Sequence, residues 1–320
     1  MEQRRLGPSE LVVSAVGLGG NNFGGRMDLA ATRRVVHRAL DAGITLIDTA
    51  DLYNDGASEE CLGQVLGERR KDVVLATKFG LLKDAEGRPA GASRRAVIRA
   101  LEASLERLRT DWIDLYQLHG PDAATPIEET LRALDDLVRS GKVRQIGCSN
   151  LSAAEVFSAQ NTARQHGLAA FVCCQDQYSL LARDIEQDLI PAAQAEGLRL
   201  LPYFPLASGL LTGKYRRNAM PPDARLTYSA RHSDRFISER NWRIVEALET
   251  FCTRRGRKLI ELAFAWLLAK PIVASVIAGA STPEQVDANV HAAGVWMLSA
   301  DEMAEVDRIT QSCSGASGNP

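Results

Sequence analysis

Short apolar runs rich in β-branched residues recur along the chain, and a stretch of helical periodicity separates nearly every pair. After a hairpin-like opening over 3–18, which turns at Gly7-Pro8-Ser9 and feeds a first strand, the runs fall at 44–48, 73–77, 113–118, 143–147, 171–174, 198–201 and 275–277. The periodic stretches predict helices over 29–42, 58–66, 93–108, 126–138, onward from Ser152, and over 184–194, 236–253, 259–268 and 283–290, with one more from Asp301. Their ends carry suitable punctuation, with Ser93 and Ser152 as caps, Pro126 at a first turn and Gly43, Gly141 and Gly197 as stops.

Alternation of this kind gives a parallel sheet, and eight strands with no dividing linker favour closure. The expectation is an α/β fold: a (β/α)8 TIM barrel with an N-terminal β-hairpin and extra C-terminal helices, one domain over 1–320. An open doubly wound sheet is the fallback. It would usually carry a glycine fingerprint in its first unit, but Asn22 holds the place of the third glycine in Gly17-Leu18-Gly19-Gly20-Asn21-Asn22. One stretch, 207–235, breaks the rhythm and reads as a long functional loop, while 313–320 reads as a disordered tail.

Composition narrows the classes. A net charge of −2, with 45% hydrophobic and 24% charged residues, offers no global basic field for nucleic acid or anionic lipid. The N-terminus lacks the apolar core of a signal peptide, and no apolar run reaches membrane-spanning length, so the expected location is cytoplasmic. The six cysteines show neither CxxC nor zinc spacing, so neither a disulfide nor a metal is assigned.

Chemistry gathers at strand ends. Asp48 closes the 44–48 run and Tyr53 follows in a polar loop; Lys78 follows 73–77, and His119 follows 113–118. In a barrel of this type that is the face where active sites assemble. Taken singly, each has an ordinary reading: a packing tyrosine, a solvated lysine, a helix-capping aspartate, a satisfied core histidine. Together they suit carbonyl reduction. A phenol with a pKa near ~10 is a weak acid unless a cation stabilises its anion. Lys78 would lower the pKa of Tyr53, Asp48 would orient Lys78, and His119 would steer the carbonyl oxygen.

The surrounding text resembles the aldo-keto reductase family. The matching blocks are Asp48-Thr49-Ala50-Asp51-Leu52-Tyr53, Ala76-Thr77-Lys78, Asp114-Leu115-Tyr116-Gln117-Leu118-His119 and Ile146-Gly147-Cys148-Ser149-Asn150, then 205–214 and 279–285. The resemblance runs from about residue 4 to about residue 310. It implies that Asp48, Tyr53, Lys78 and His119 form a catalytic tetrad passing hydride between a nicotinamide cofactor and a small carbonyl or sugar substrate. It further implies that Ser149, Asn150 and Gln175 hold the carboxamide and Tyr203 stacks on the nicotinamide. Leu206, Gly209 and Lys214 would then meet the pyrophosphate, and Gly279, Ser281, Gln285 and Asn289 the adenosine end. Phe23, with Tyr53 and His119, would wall the substrate pocket.

NADPH is the favoured cofactor, with Arg216 or Arg217 available to a 2′-phosphate. NAD is possible because Gly279-Ala280-Ser281-Thr282 carries no cation. The alternatives are an NAD-dependent aldose dehydrogenase, a nucleotide-binding regulatory subunit, and a lyase using Lys78 as a Schiff-base nucleophile.

Overall fold

The computed structural model describes residues 1–82 and 90–312, so the expected tail at 313–320 lies outside the described residues. The chain opens with an antiparallel hairpin of β1 (Gln3–Arg5) and β2 (Val12–Ser14). Gly7 turns it with φ +61°, and a Cβ there would stand 2.2 Å from the Val172 carbonyl oxygen, so the turn is seated directly on the barrel wall.

Eight parallel strands follow: β3 (Val16–Gly19), β4 (Leu46–Asp48), β5 (Val74–Phe79), β6 (Ile113–Leu118), β7 (Val143–Ser149), β8 (Phe171–Gln175), β9 (Arg199–Leu200) and β10 (Val276–Gly279). They pair in chain order, with β10 beside β3. Three hydrogen bonds close the seam between the two ends of that order: Leu200 N–H to Ile272 O at 2.9 Å, Ala274 N–H to Leu200 O at 3.0 Å and Ile277 N–H to Pro202 O at 3.0 Å. The expected barrel is the observed one.

The helices are α1 (Leu29–Asp41), α2 (Ala57–Leu66), α3 (Arg94–Leu108), α4 (Ile127–Arg139), α5 (Ala153–His166), α6 (Leu189–Ala195), α7 (Arg225–Tyr228), α8 (Ala230–Phe236), α9 (Glu239–Thr253), α10 (Leu259–Leu268), α11 (Pro283–Gly294) and α12 (Ala300–Ser312). Ser93 caps α3, and Ser152 with Glu155 forms a full capping box on α5. Three expectations shift. The helix expected over 184–194 is a 3₁₀ turn, Asp184–Glu186, followed by α6, because Pro191 has no N–H to give and fits only in a first turn. The stretch 207–235 is not structureless but holds a 3₁₀ turn at Ala207–Thr212, then α7 and most of α8. The helix expected from 236 begins instead at Glu239, where the Ser238 side chain accepts from Asn241 N–H.

The main core lies between strands and helices, and a second apolar cluster fills the barrel interior. There Leu6 and Val13 of the hairpin meet Leu46, Ala76, Leu115 and Cys173. Side chains alternate along a strand, so the next inward positions toward the carboxyl ends are Asp48, Lys78, Gln117 and Gln175. An apolar floor thus carries a polar layer. The five described cysteines, Cys61, Cys148, Cys173, Cys174 and Cys252, are all buried free thiols. Among the described residues no helix is long and apolar enough to cross a membrane, and no three His, Cys, Asp or Glu side chains gather as a metal site would require.

Candidate active site

Lys78 is fully buried at the centre of the polar layer. Its ammonium donates to Asp48 Oδ2 at 2.7 Å, to the Thr49 carbonyl at 2.8 Å and to Tyr53 Oη at 3.2 Å. Three donors meet three acceptors, which fixes the charged form and its orientation. The other Asp48 oxygen accepts from Gln175 Nε2 at 2.8 Å and from Gln117 Nε2 at 3.3 Å. Burial alone would pull the lysine pKa down, but Asp48 and Tyr53 outweigh it and leave the group above its ordinary value.

Tyr53 differs from expectation. Burial pushes its phenol up and outweighs the opposing pull of Lys78, with Asp48 adding to the rise. The lysine acts in the expected direction, but in so dry a place desolvation of the phenolate costs more. His119 is 8% exposed, and its ring stands edge-on to Tyr53 with centroids 5.9 Å apart. Burial, with Lys78 as the nearby cation, drives its pKa down to about 3, so the imidazole is neutral.

The neighbouring rim is hydrogen-bonded into one piece. Ser149 Oγ donates to the Gln175 carbonyl at 2.6 Å. Asn150, in the left-handed region at φ 59°, donates to the His119 carbonyl at 3.0 Å and to Ser149 Oγ at 2.9 Å. Tyr203 Oη donates to Asn150 Oδ1 at 2.7 Å, placing the half-buried ring beside the polar layer. Gln175 has given its amide hydrogens to Asp48 Oδ1 at 2.8 Å and Gln117 Oε1 at 3.5 Å, so its own Oε1 is the atom left to accept from a ligand.

Beyond β9 the backbone turns through positive φ at Phe204, Ala207, Ser208 and Gly209, with Leu206 accepting from Gly209 N–H at 2.8 Å. Ser208 Oγ is buried without a partner among the described residues. Lys214 follows; burial lowers its pKa, and Arg225 and Arg26 lower it further. None of these three cations has a carboxylate partner among the described residues. That is the chemistry of an anion seat, and a pyrophosphate fits it. At the adenosine end Gly279 faces open space, Ser281 donates to Gln285 Oε1 at 2.8 Å through its N–H, and Asn289 is buried.

Two expectations fail on the geometry. Phe23 is 0% exposed and belongs to the main core; the turn pairing Phe23 with Met27 tucks its ring inward, so it does not wall an open pocket. Arg216 is paired with Glu249 at 2.7 Å, and Arg217 with Glu239 and Glu246, so both are committed to α9 rather than to a ligand. Sequence reading also missed residues. Gln117 was discoverable, since Leu115 faces inward and Gln117 stands two positions on. Arg26 and Arg225 were not, because nothing local brings residues so far apart in the chain together.

A family model described as the aldo/keto reductase family matches residues 15–311. The chain is 38% identical to an uncharacterized oxidoreductase, YrpG, of Bacillus subtilis, covering 89% of each. It is 34% identical to a probable voltage-gated potassium channel subunit beta of Oryza sativa subsp. japonica, over 98% of this chain and 97% of that one. Among solved structures it superposes on the holo form of aldo-keto reductase AKR11C1 from Bacillus halodurans with a TM-score of 0.81 at 33% identity, covering 97% and 96% of the two chains. The barrel accords with these likenesses, and the chain belongs to the aldo/keto reductase family of NAD(P)-dependent oxidoreductases, which act on small carbonyl compounds.

Proposed function

We propose that the protein reduces the carbonyl of a small aldehyde, ketone or sugar, with Tyr53 as general acid, and that it does so with NADPH. The observation that carries this is the Lys78 ammonium, spent on Asp48, Thr49 and Tyr53 at once. The bound nicotinamide supplies the hydride. Tyr53, held protonated by burial, keeps its proton until oxygen gains charge, and Lys78 then stabilises the phenolate left behind. Neutral His119 has one N–H to donate to the carbonyl oxygen. Asp48 anchors Lys78, and Gln117 and Gln175 anchor Asp48. In the reverse direction Tyr53 is the base.

The phosphate preference rests on Lys214, Arg225 and Arg26, which carry more positive charge than a pyrophosphate alone requires. The cation-free 279–282 segment and the commitment of Arg216 and Arg217 to glutamates support the second reading, NAD-linked aldose oxidation in the same site. Fluorescence titration with NADPH and NADH separates the two: tighter NADPH binding supports reduction, and tighter NADH binding sends the assay to aldoses with NAD. Tyr53→Phe should lower kcat by about 10²-fold or more, with cofactor affinity changed less than about twofold. Turnover comparable to wild type in that variant would remove Tyr53 from the role.

A further inference from the structure

Behind the Tyr53–Lys78 pair lies a second set of ionisable groups with no part in the reaction as written. Asp51 is 2% exposed, and its Oδ1 has no hydrogen-bond partner among the described residues. Its backbone N–H donates to the Lys78 carbonyl at 3.3 Å, so it is fixed to the strand end that carries the lysine. The charged and titratable groups facing it come from every neighbouring element. Glu59 stands on α2, Arg107 on α3, Lys78 on β5 and Tyr116 on β6, with Tyr53 in its own loop.

The pairing among these groups leaves one acid over. Asp48 is bonded to Lys78 at 2.7 Å. Glu59 is bonded to Arg107 at 2.7 Å and accepts from Thr77 Oγ1. Three buried carboxyl groups therefore meet two cations, and Asp51 is the one with no cation of its own. A charge there would be uncompensated in a dry region.

We propose that Asp51 is a positioning residue for hydride transfer, acting through Tyr53: neutral, it leaves the Lys78–Tyr53 pair undisturbed, and ionised, it holds the phenol protonated. This rests on the reading of Tyr53 as acid and base. Burial and the Glu59 carboxylate bring the Asp51 carboxyl up to about 7, and its charge is one of those that push Tyr53 up. Ionisation of Asp51 therefore opposes alcohol oxidation, which needs the phenolate, whereas the phenol that reduction needs is already held protonated by burial.

The test is the pH dependence of kcat in both directions, from about pH 6 to about pH 9, for wild type and Asp51→Asn, with a simple aromatic aldehyde and its alcohol. The amide mimics the neutral carboxyl, so the variant should fold. Wild type should show an inflection near neutral pH that the variant lacks, and the variant should oxidise alcohol roughly threefold faster or more above that inflection. Superimposable profiles would overturn the proposal. Should the amide lower the melting temperature, Asp51→Ala, which also cannot ionise, must lose the same inflection, and keeping it counts against the proposal. Tyr53→Phe run alongside separates the failures. Retained turnover there defeats the reading of Tyr53, while a dead Tyr53→Phe with unchanged Asp51→Asn profiles defeats only this one.

Discussion

His119 shows how enclosure decides protonation. In the unfolded chain a histidine takes a proton near pH 6.5, whereas here burial and Lys78 hold that off until about 3. Between those values the unfolded state binds the extra proton, so acidification favours unfolding; the stability is present above about 6.5 and is lost as pH falls below it. His119→Gln should therefore lose about 2 kcal/mol less stability than wild type between pH 7 and pH 5, read by urea melts at each pH. Lys78 gives a second case. Lys78→Met strands Asp48 as an unpaired buried charge and should cost about 3–5 kcal/mol, while adding Asp48→Asn should restore part of it. A double variant no more stable than the single would mean that Asp48 is not the stranded group. The positions of Asp48, Tyr53, Lys78 and His119 were legible because each closes or follows an apolar run. Their electrostatics were not, because spacing tells which groups meet but not how much water they share, and it was dryness that raised the Tyr53 pKa despite the lysine beside it.

At the scale of elements, helix ends with capping side chains read well and the long connection read poorly. Ser93, Ser152 and Pro126 announce starts through chemistry confined to three or four residues. In 207–235 the deciding contacts are distant. Arg26 of the first loop bonds Tyr228 and the Asp223 carbonyl, and Arg225 bonds Asn22, fastening α7 across the barrel mouth. No periodicity encodes a clasp of that kind. Arg225→Ala should weaken cofactor binding by about tenfold, flatten its salt dependence and let the Lys214 pKa rise. Unchanged affinity at low salt would show that the anion sits elsewhere.

The whole molecule depends on a floor that the polar layer can stand on. Leu6 and Val13 close the barrel from below, and Gly7 seats that hairpin against Val172. Gly7→Ala combines a left-handed φ with a carbonyl at 2.2 Å from its Cβ, and should destabilise by about 2 kcal/mol or more, measurable as a lowered denaturation midpoint. The eightfold alternation made the barrel legible, but the seam was not, since β9 spans only Arg199–Leu200 and closure rests on three backbone bonds to the approach and body of β10. The buried thiols carry a consequence for experiment. Cys61 lies on α2, Cys148 on β7, Cys173 and Cys174 on β8 and Cys252 on α9, and burial pushes the Cys252 thiol up to about 12. With Cys313 changed to serine, an alkylating reagent reaches these sulfurs only as the surrounding structure opens. Mass spectrometry of the labelled peptides over time would then give the order in which four separate parts of the wall and its helical jacket come apart, a breathing map read without any foreign probe.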